Sequence, residues 1–195
     1  MAAPPEVNLA SLTGNWVLNR GLADDPDPML EFQGVPWLKR KIILLATVTL
    51  SVKEYIDDKD TTHIDLDQTA TGGIQGTREL RILDWSETIH RDHIFGTLKS
   101  RNRWVSDLKT CESGTGGPLD QYLTEGWLDE KVGPNGEGFV QNWVINEERG
   151  WTAEQIWGFT TIKGQRYKTR KIVVKKGDQR LTVTLAYDWK GKLKA

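Results

Sequence analysis

The chain has 195 residues, with 26 Lys and Arg against 27 Asp and Glu, so no summed field would gather nucleic acid or an anionic membrane surface. A lone cysteine, Cys111, excludes an intrachain disulfide, and the longest purely apolar run, residues 42–46, is far short of the roughly 20 residues that span a bilayer. The first nine residues lack the basic start and apolar core of a secretory signal, so the sequence predicts a soluble protein of the reducing cytosol, without a nucleic-acid partner or integral membrane association.

Residues 1–11, with Pro4-Pro5 and few large apolar side chains, predict a flexible arm over the base of whatever follows. A strand over 12–19 alternates Leu12, Gly14, Trp16 and Leu18 against Thr13, Asn15, Val17 and Asn19. Asp27 is placed to cap a two-turn helix that begins at Pro28 and stops at Gly34. A second helix starts near Pro36, with Trp37, Leu38, Ile42 and Leu45 as its apolar positions and Lys39, Arg40 and Lys41 on the other face. Trp37 is expected to pack down onto the mouth of the fold. Neither helix is long enough to hold alone, so both must pack on something.

Strands then follow over 47–56, 63–71, 77–83, 88–95 and 98–106, separated by the turn residues Asp57-Asp58-Lys59-Asp60, Gly72-Gly73 and Gly96. After Lys109 the pattern lapses into Ser113-Gly114-Thr115-Gly116-Gly117-Pro118 and Gly133-Pro134-Asn135-Gly136. This marks an insertion at 107–137, about thirty residues and long for a loop without function. Four further strands, 139–146, 152–161, 167–175 and 180–189, complete the chain. Ten antiparallel strands in an open meander would leave two exposed edges. The prediction is therefore an all-β fold, one domain over 12–195: a closed up-and-down barrel with a two-helix lid between its first and second strands. A barrel of that size is too wide for side chains alone to fill, which implies a cavity.

The segments Leu12-Thr13-Gly14-Asn15-Trp16-Val17-Leu18 and Gly34-Val35-Pro36-Trp37-Leu38-Lys39-Arg40-Lys41 resemble the start of the intracellular fatty-acid-binding proteins of the calycin superfamily. There a Gly-x-Trp strand leads into a helix-turn-helix lid. Residues 181–187 are similar to that family's last strand; lipocalins share the Gly-x-Trp but place their main helix elsewhere. The resemblance implies that Trp16 plugs the closed end of the barrel. It also implies an Arg-x-Tyr carboxylate clamp on the last strand, from which this chain departs: Tyr187 fits, but Leu185 stands where the arginine would be. Small calycin-like proteins also occur in microbial natural-product pathways, some of them as cofactor-free cyclases or isomerases.

His90-Arg91-Asp92-His93 is the stretch with catalytic potential. Alternation puts His90 and Asp92 on one face and Arg91 and His93 on the other, and an inward His93 can move a proton near neutral pH. The plainer reading is a solvated strand. Nine Trp against four Phe and four Tyr is an unusual aromatic balance. Trp104, Trp143 and Trp157 lie within strands, where an inward indole fills the barrel or lines its ligand. Tyr55, Gln68, Arg170 and Tyr187 are the polar candidates for orienting a ligand by hydrogen bonds. Three histidines and one cysteine without finger or ribbon spacing predict no metal, and the glycine-rich turns lack the setting of a phosphate cradle, so no cofactor is expected.

The sequence thus favours a container for one hydrophobic or amphipathic small molecule, a lipid or secondary metabolite. The alternative is a cofactor-independent isomerase or cyclase acting on a polyketide or terpenoid-like substrate in the same cavity, with His93, Asp92 or Tyr187 transferring protons or stabilising charge. A third reading, a protein-interaction module, would use the insertion.

Overall fold

A computed structural model describes residues 1–71 and 74–193, so the Gly72-Gly73 turn lies outside the described residues. The elements run β1 (Gly14–Leu18), α1 (Asp27–Phe32), α2 (Trp37–Leu45), β2 (Thr49–Ile56), β3 (Thr62–Ala70), β4 (Ile74–Ile82), β5 (Thr88–Asp92), β6 (Gly96–Val105), α3 (Gln121–Thr124), β7 (Phe139–Asn146), β8 (Trp151–Ile162), β9 (Gln165–Lys176) and β10 (Gln179–Trp189). All ten strands form one antiparallel sheet in the order β4-β3-β2-β1-β10-β9-β8-β7-β6-β5, so β1 joins the first half of the meander to the second. β4 and β5 do not pair with each other. Just past β4, Asp84 bridges to Arg103 of β6, and the Trp85 N–H donates to the Asn102 carbonyl at 2.8 Å. The barrel is therefore nearly closed, with a seam.

At the base the Gly-x-Trp signature is explained by packing. Trp16 is fully buried and its indole N–H donates to the Leu12 carbonyl at 3.0 Å, while its ring meets Trp189 edge-on at 4.8 Å. A Cβ on Gly14 would come within 2.0 Å of the Trp189 ring, so only glycine permits that approach. Burying one indole completely contributes on the order of 5 kcal/mol from its apolar area.

Residues 1–11, expected as an arm over the base, pack into it. Ala3, Val7 and Leu9 are buried in the barrel core, the Ala3 N–H donates to the Arg166 carbonyl, and the Arg166 guanidinium donates to the carbonyls of Pro4 (3.1 Å) and Val7 (2.9 Å). Arg166 is itself held by Glu130 at 2.5 Å, which fixes the arm to the insertion as well.

The insertion lies largely on the outside of the barrel wall, and none of its residues lines the cavity described below. Leu108, Cys111, Leu119 and Leu123 pack with Val105, Phe139, Ile156 and Val173 into a second apolar cluster on the outer face of β7–β9. Polar contacts fix it to the wall: Glu154 accepts from Ser113 (2.6 Å), the Gly114 N–H (2.9 Å) and Gln141 (2.7 Å), and Asp120 pairs with Arg180 of β10 at 2.6 Å.

The lid differs from expectation in two ways. α1 begins at Asp27, one residue early, because Asp25 accepts the Asp27 N–H at 2.9 Å and the Asp27 carboxylate turns to Arg40 (2.8 Å) and Lys41 (3.1 Å). Those ion pairs hold Arg40 inward as the buried residue of α2, whereas Trp37 and Leu45 are 63% and 87% exposed. Trp37 therefore does not pack onto the mouth. Among the described residues no helix is long and apolar enough to cross a membrane.

Candidate functional site

Strand alternation sends one set of side chains into a cavity of about 390 Å³ beneath the lid. Met29 and Leu30 of α1 and Ile42 and Ile43 of α2 form its roof, and Leu50, Val144, Ala153, Ile172 and Leu185 its apolar walls. Its floor is polar. Gln68, Glu79, Arg81, Gln155, Arg170 and Tyr187 converge there from β3, β4, β8, β9 and β10.

The floor is a network in which some groups are satisfied and others are left free. Glu79 pairs with Arg81 and accepts from Gln68 at 3.1 Å; Arg81 donates to Asn102 Oδ1 at 2.9 Å, and Asn142 donates to the same oxygen at 2.9 Å. The Trp157 ring lies beneath both guanidiniums, 4.0 Å from that of Arg170 and 4.7 Å from that of Arg81, and cation–π attraction orients them. Arg170 Nε and Nη2, Arg81 Nε and Gln155 Oε1 are buried without a hydrogen-bond partner. Buried polar atoms are ordinarily satisfied, so unpartnered donors at a cavity floor mark where a ligand's acceptor belongs.

Below them Lys168 is fully buried, its Nζ unpartnered and surrounded by Trp16 (4.9 Å), Trp157 (5.2 Å) and Tyr187 (5.3 Å). Burial, with the nearby Arg170 and Arg81 charges, holds its amine well below the ordinary lysine range. Burial also raises the Tyr187 phenol, so it stays a protonated donor at neutral pH, Arg170 only partly offsetting the effect. For Glu79 burial acts upward, but Arg81 and Arg170 together outweigh it and keep the carboxylate below its usual value. Near the base Glu54 accepts the Leu12 N–H at 2.7 Å; burial pushes its carboxyl up to about 7 despite that bond and the Lys168 charge.

The structure brings Arg170, Tyr187 and Gln68 together at the floor, with Trp157 directly underneath. Asp92 also lines the cavity, but its Oδ1 accepts the N–H groups of Ile94 (2.6 Å) and Phe95 (2.8 Å), which commits it to shaping the β5–β6 turn. His93 lies past the end of β5, in that turn; it is exposed at the mouth and lines the rim of the cavity, and its carbonyl accepts from Lys39 at 3.1 Å. Three residues lie away from the cavity. Tyr55 is on the outer face, stacked on His63 at 4.9 Å, because Glu54 beside it takes the inward position. Trp143 also points outward, where Gly114 of the insertion presses on its ring. Trp104 fills the lower core and donates to Thr62 at 3.0 Å. Gln155, Glu79, Arg81 and Lys168 were not singled out from the sequence; the available signal was polar residues at inward positions of otherwise apolar alternation. Among the described residues no group of three or more His, Cys, Asp or Glu is placed to hold a metal.

A nearly closed ten-stranded barrel, with a two-helix lid inserted after the first strand and a cavity inside, has the fold of the fatty-acid-binding proteins. Solved structures agree on the fold: Caenorhabditis elegans lipid binding protein 8 superposes with a TM-score of 0.54 at 12% identity, over 92% of this chain and 95% of that one. The REP1-NXSQ fatty acid transporter does so at 0.51 and 16%, over 93% and 98%. No family model matches the chain. In sequence it is 36% identical over 191 residues to a probable pericyclase, scpY, of Mollisia scopiformis, covering 97% of this chain and 95% of that protein. It is 32% identical over 192 residues to the pericyclase pydY of an Acremonium species, covering 98% of each. The chain belongs to the family of these fungal proteins.

Proposed function

We propose that this protein is a pericyclase: it folds a flexible, largely apolar substrate inside the barrel and closes a ring by concerted, cyclic movement of electrons. The observation that carries the reading is the pair of unpartnered Arg170 donors in the polar floor of a cavity with apolar walls. Membership of a family with two members named pericyclase supports it.

Such a reaction needs no proton to leave the substrate, and its product has the substrate's atoms in a new connectivity. The protein's work is then twofold. Apolar walls select a folded conformer from the many open to a free chain, which supplies the entropic part of the rate enhancement. Arg170 Nε and Nη2, with the Tyr187 hydroxyl alongside, donate to a carbonyl oxygen conjugated with the reacting π system. They withdraw electron density and stabilise the charge that grows on that oxygen in the transition state. Trp157 holds the guanidinium in place, and Glu79 with Arg81 fixes the surrounding field. His93 has no part in this scheme.

Deleting the gene in its native host and profiling metabolites tests the reading. A linear precursor should accumulate, and purified protein should convert it to an isomer of identical mass. Return of the precursor unchanged, though bound, would establish a carrier instead.

A further inference from the structure

The α1–α2 hairpin is tethered covalently at one end, where residues 19–26 enter it and Ala46 leads into β2; its other end, the tip at Gln33–Pro36, is held by side chains alone. At the tip, the Gln33 carbonyl accepts from the Trp151 indole at 3.1 Å and from Arg149 Nη1 at 3.2 Å. Arg149 Nη2 donates to the Ile94 carbonyl in the β5–β6 turn at 3.2 Å. One guanidinium on the β7–β8 hairpin thus joins the lid and a mouth turn that have no covalent link near this point. Gly34 lies under it with φ +77°, and a Cβ there would touch Arg149 at 3.4 Å. At the tethered end Arg20 donates to the carbonyls of Ile43, Leu44 and Ala46, closing the last turn of α2.

We infer that Arg149 is a latch: the hairpin admits ligand by swinging open at its tip about the Arg20 end, and loss of the Arg149 bond to Gln33 is the slow step of that opening, the neighbouring Trp151 and Lys39 bonds yielding with it. A latch that bridges two backbone carbonyls stabilises the closed mouth whether or not the cavity is filled. It therefore sets the rates of entry and exit far more than the affinity. The inference is independent of any chemistry in the cavity.

Stopped-flow fluorescence with 1-anilinonaphthalene-8-sulfonate tests it on the full chain. Arg149→Ala should raise the association and dissociation rate constants together, each by about tenfold, leaving Kd within about threefold of the wild type. Arg149→Lys, which keeps the charge but not the fork between two carbonyls, should be intermediate and guards against a folding defect in the alanine variant. Arg20→Ala should change the rates less than Arg149→Ala. Unchanged rates in both Arg149 variants overturn the latch. So does a rise in dissociation alone with a matching loss of affinity, which would make Arg149 a ligand contact. Equal acceleration in Arg20→Ala overturns opening from the tip.

Discussion

Arg170 stands directly opposite Leu185 in the β9–β10 register, and its guanidinium lies 5.3 Å from the ring of Tyr187. The position that holds arginine on the last strand of the resembled family is leucine here, and the cation comes from the neighbouring strand at the same height. The clamp's tyrosine therefore keeps a guanidinium beside it.

Arg170→Met should separate function from folding. Conversion of substrate should fall by about two orders of magnitude, because the donors to the developing oxyanion are gone. The melting temperature should hold or rise, since a buried cation without a full set of partners is replaced by an apolar chain. Turnover assays and thermal melts on the same preparation check both halves.

Tyr187→Phe should be milder. It removes one donor but leaves Arg170 on the Trp157 face, so a loss in turnover of about tenfold is expected, with little change in stability. His93→Ala, at the exposed turn, should leave turnover unchanged within about twofold. A collapse in that variant would return proton transfer to the mechanism.

The carboxyl of Glu54 is raised to about 7 in the fold from an ordinary 4.5, so the native state holds the proton more tightly than the unfolded chain. Its contribution to stability is complete below about pH 4.5 and is lost as the pH climbs through 7. Urea titrations at pH 5 and pH 8 should show the wild type losing stability over that interval, by an amount on the order of 2–3 kcal/mol from this group. Glu54→Gln, which keeps an acceptor for the Leu12 N–H, should flatten the dependence. Asp57 acts oppositely: its hydrogen bond to His63, aided by the Thr61 N–H, lowers it to about 2, so its contribution exists above pH 3.8 and disappears as the pH falls through 2.

Gly14→Ala should lower stability by about 1–3 kcal/mol, because the added methyl enters the space of the Trp189 ring and forces the base apart. A fall in melting temperature without loss of cavity chemistry in the surviving folded protein is the expected pattern.

Much of this architecture was legible in the sequence because period-two alternation and turn chemistry repeat ten times and each repeat corroborates the next. β7 was delimited to the residue. The errors have separate causes. Residues 1–11 look unstructured by composition because three small or medium apolar side chains, Ala3, Val7 and Leu9, suffice to cap a preformed barrel end. Trp37 appeared to face inward because amphipathicity names the apolar side of a helix, while the ion pairs of Arg40 with Asp27 and Glu31 decide which side meets the fold. Trp143 and Tyr55 were misplaced because alternation gives two faces without saying which is inside. The floor was half visible: Arg170, Tyr187 and Gln68 were named, but Gln155, Glu79 and Arg81 become neighbours only when strands distant in sequence close round.

The second apolar layer outside β7–β9 also makes the molecule mechanically lopsided. Three of the ten strands form a laminate, braced on both faces; the rest of the wall, with the unpaired β4–β5 seam, is a single sheet. Arg170 is mounted on the braced strands, so the mouth can flex without shifting the guanidinium that a substrate would meet. Amide exchange should follow that division, slowest along β7–β9 and fastest in β4, β5 and the lid.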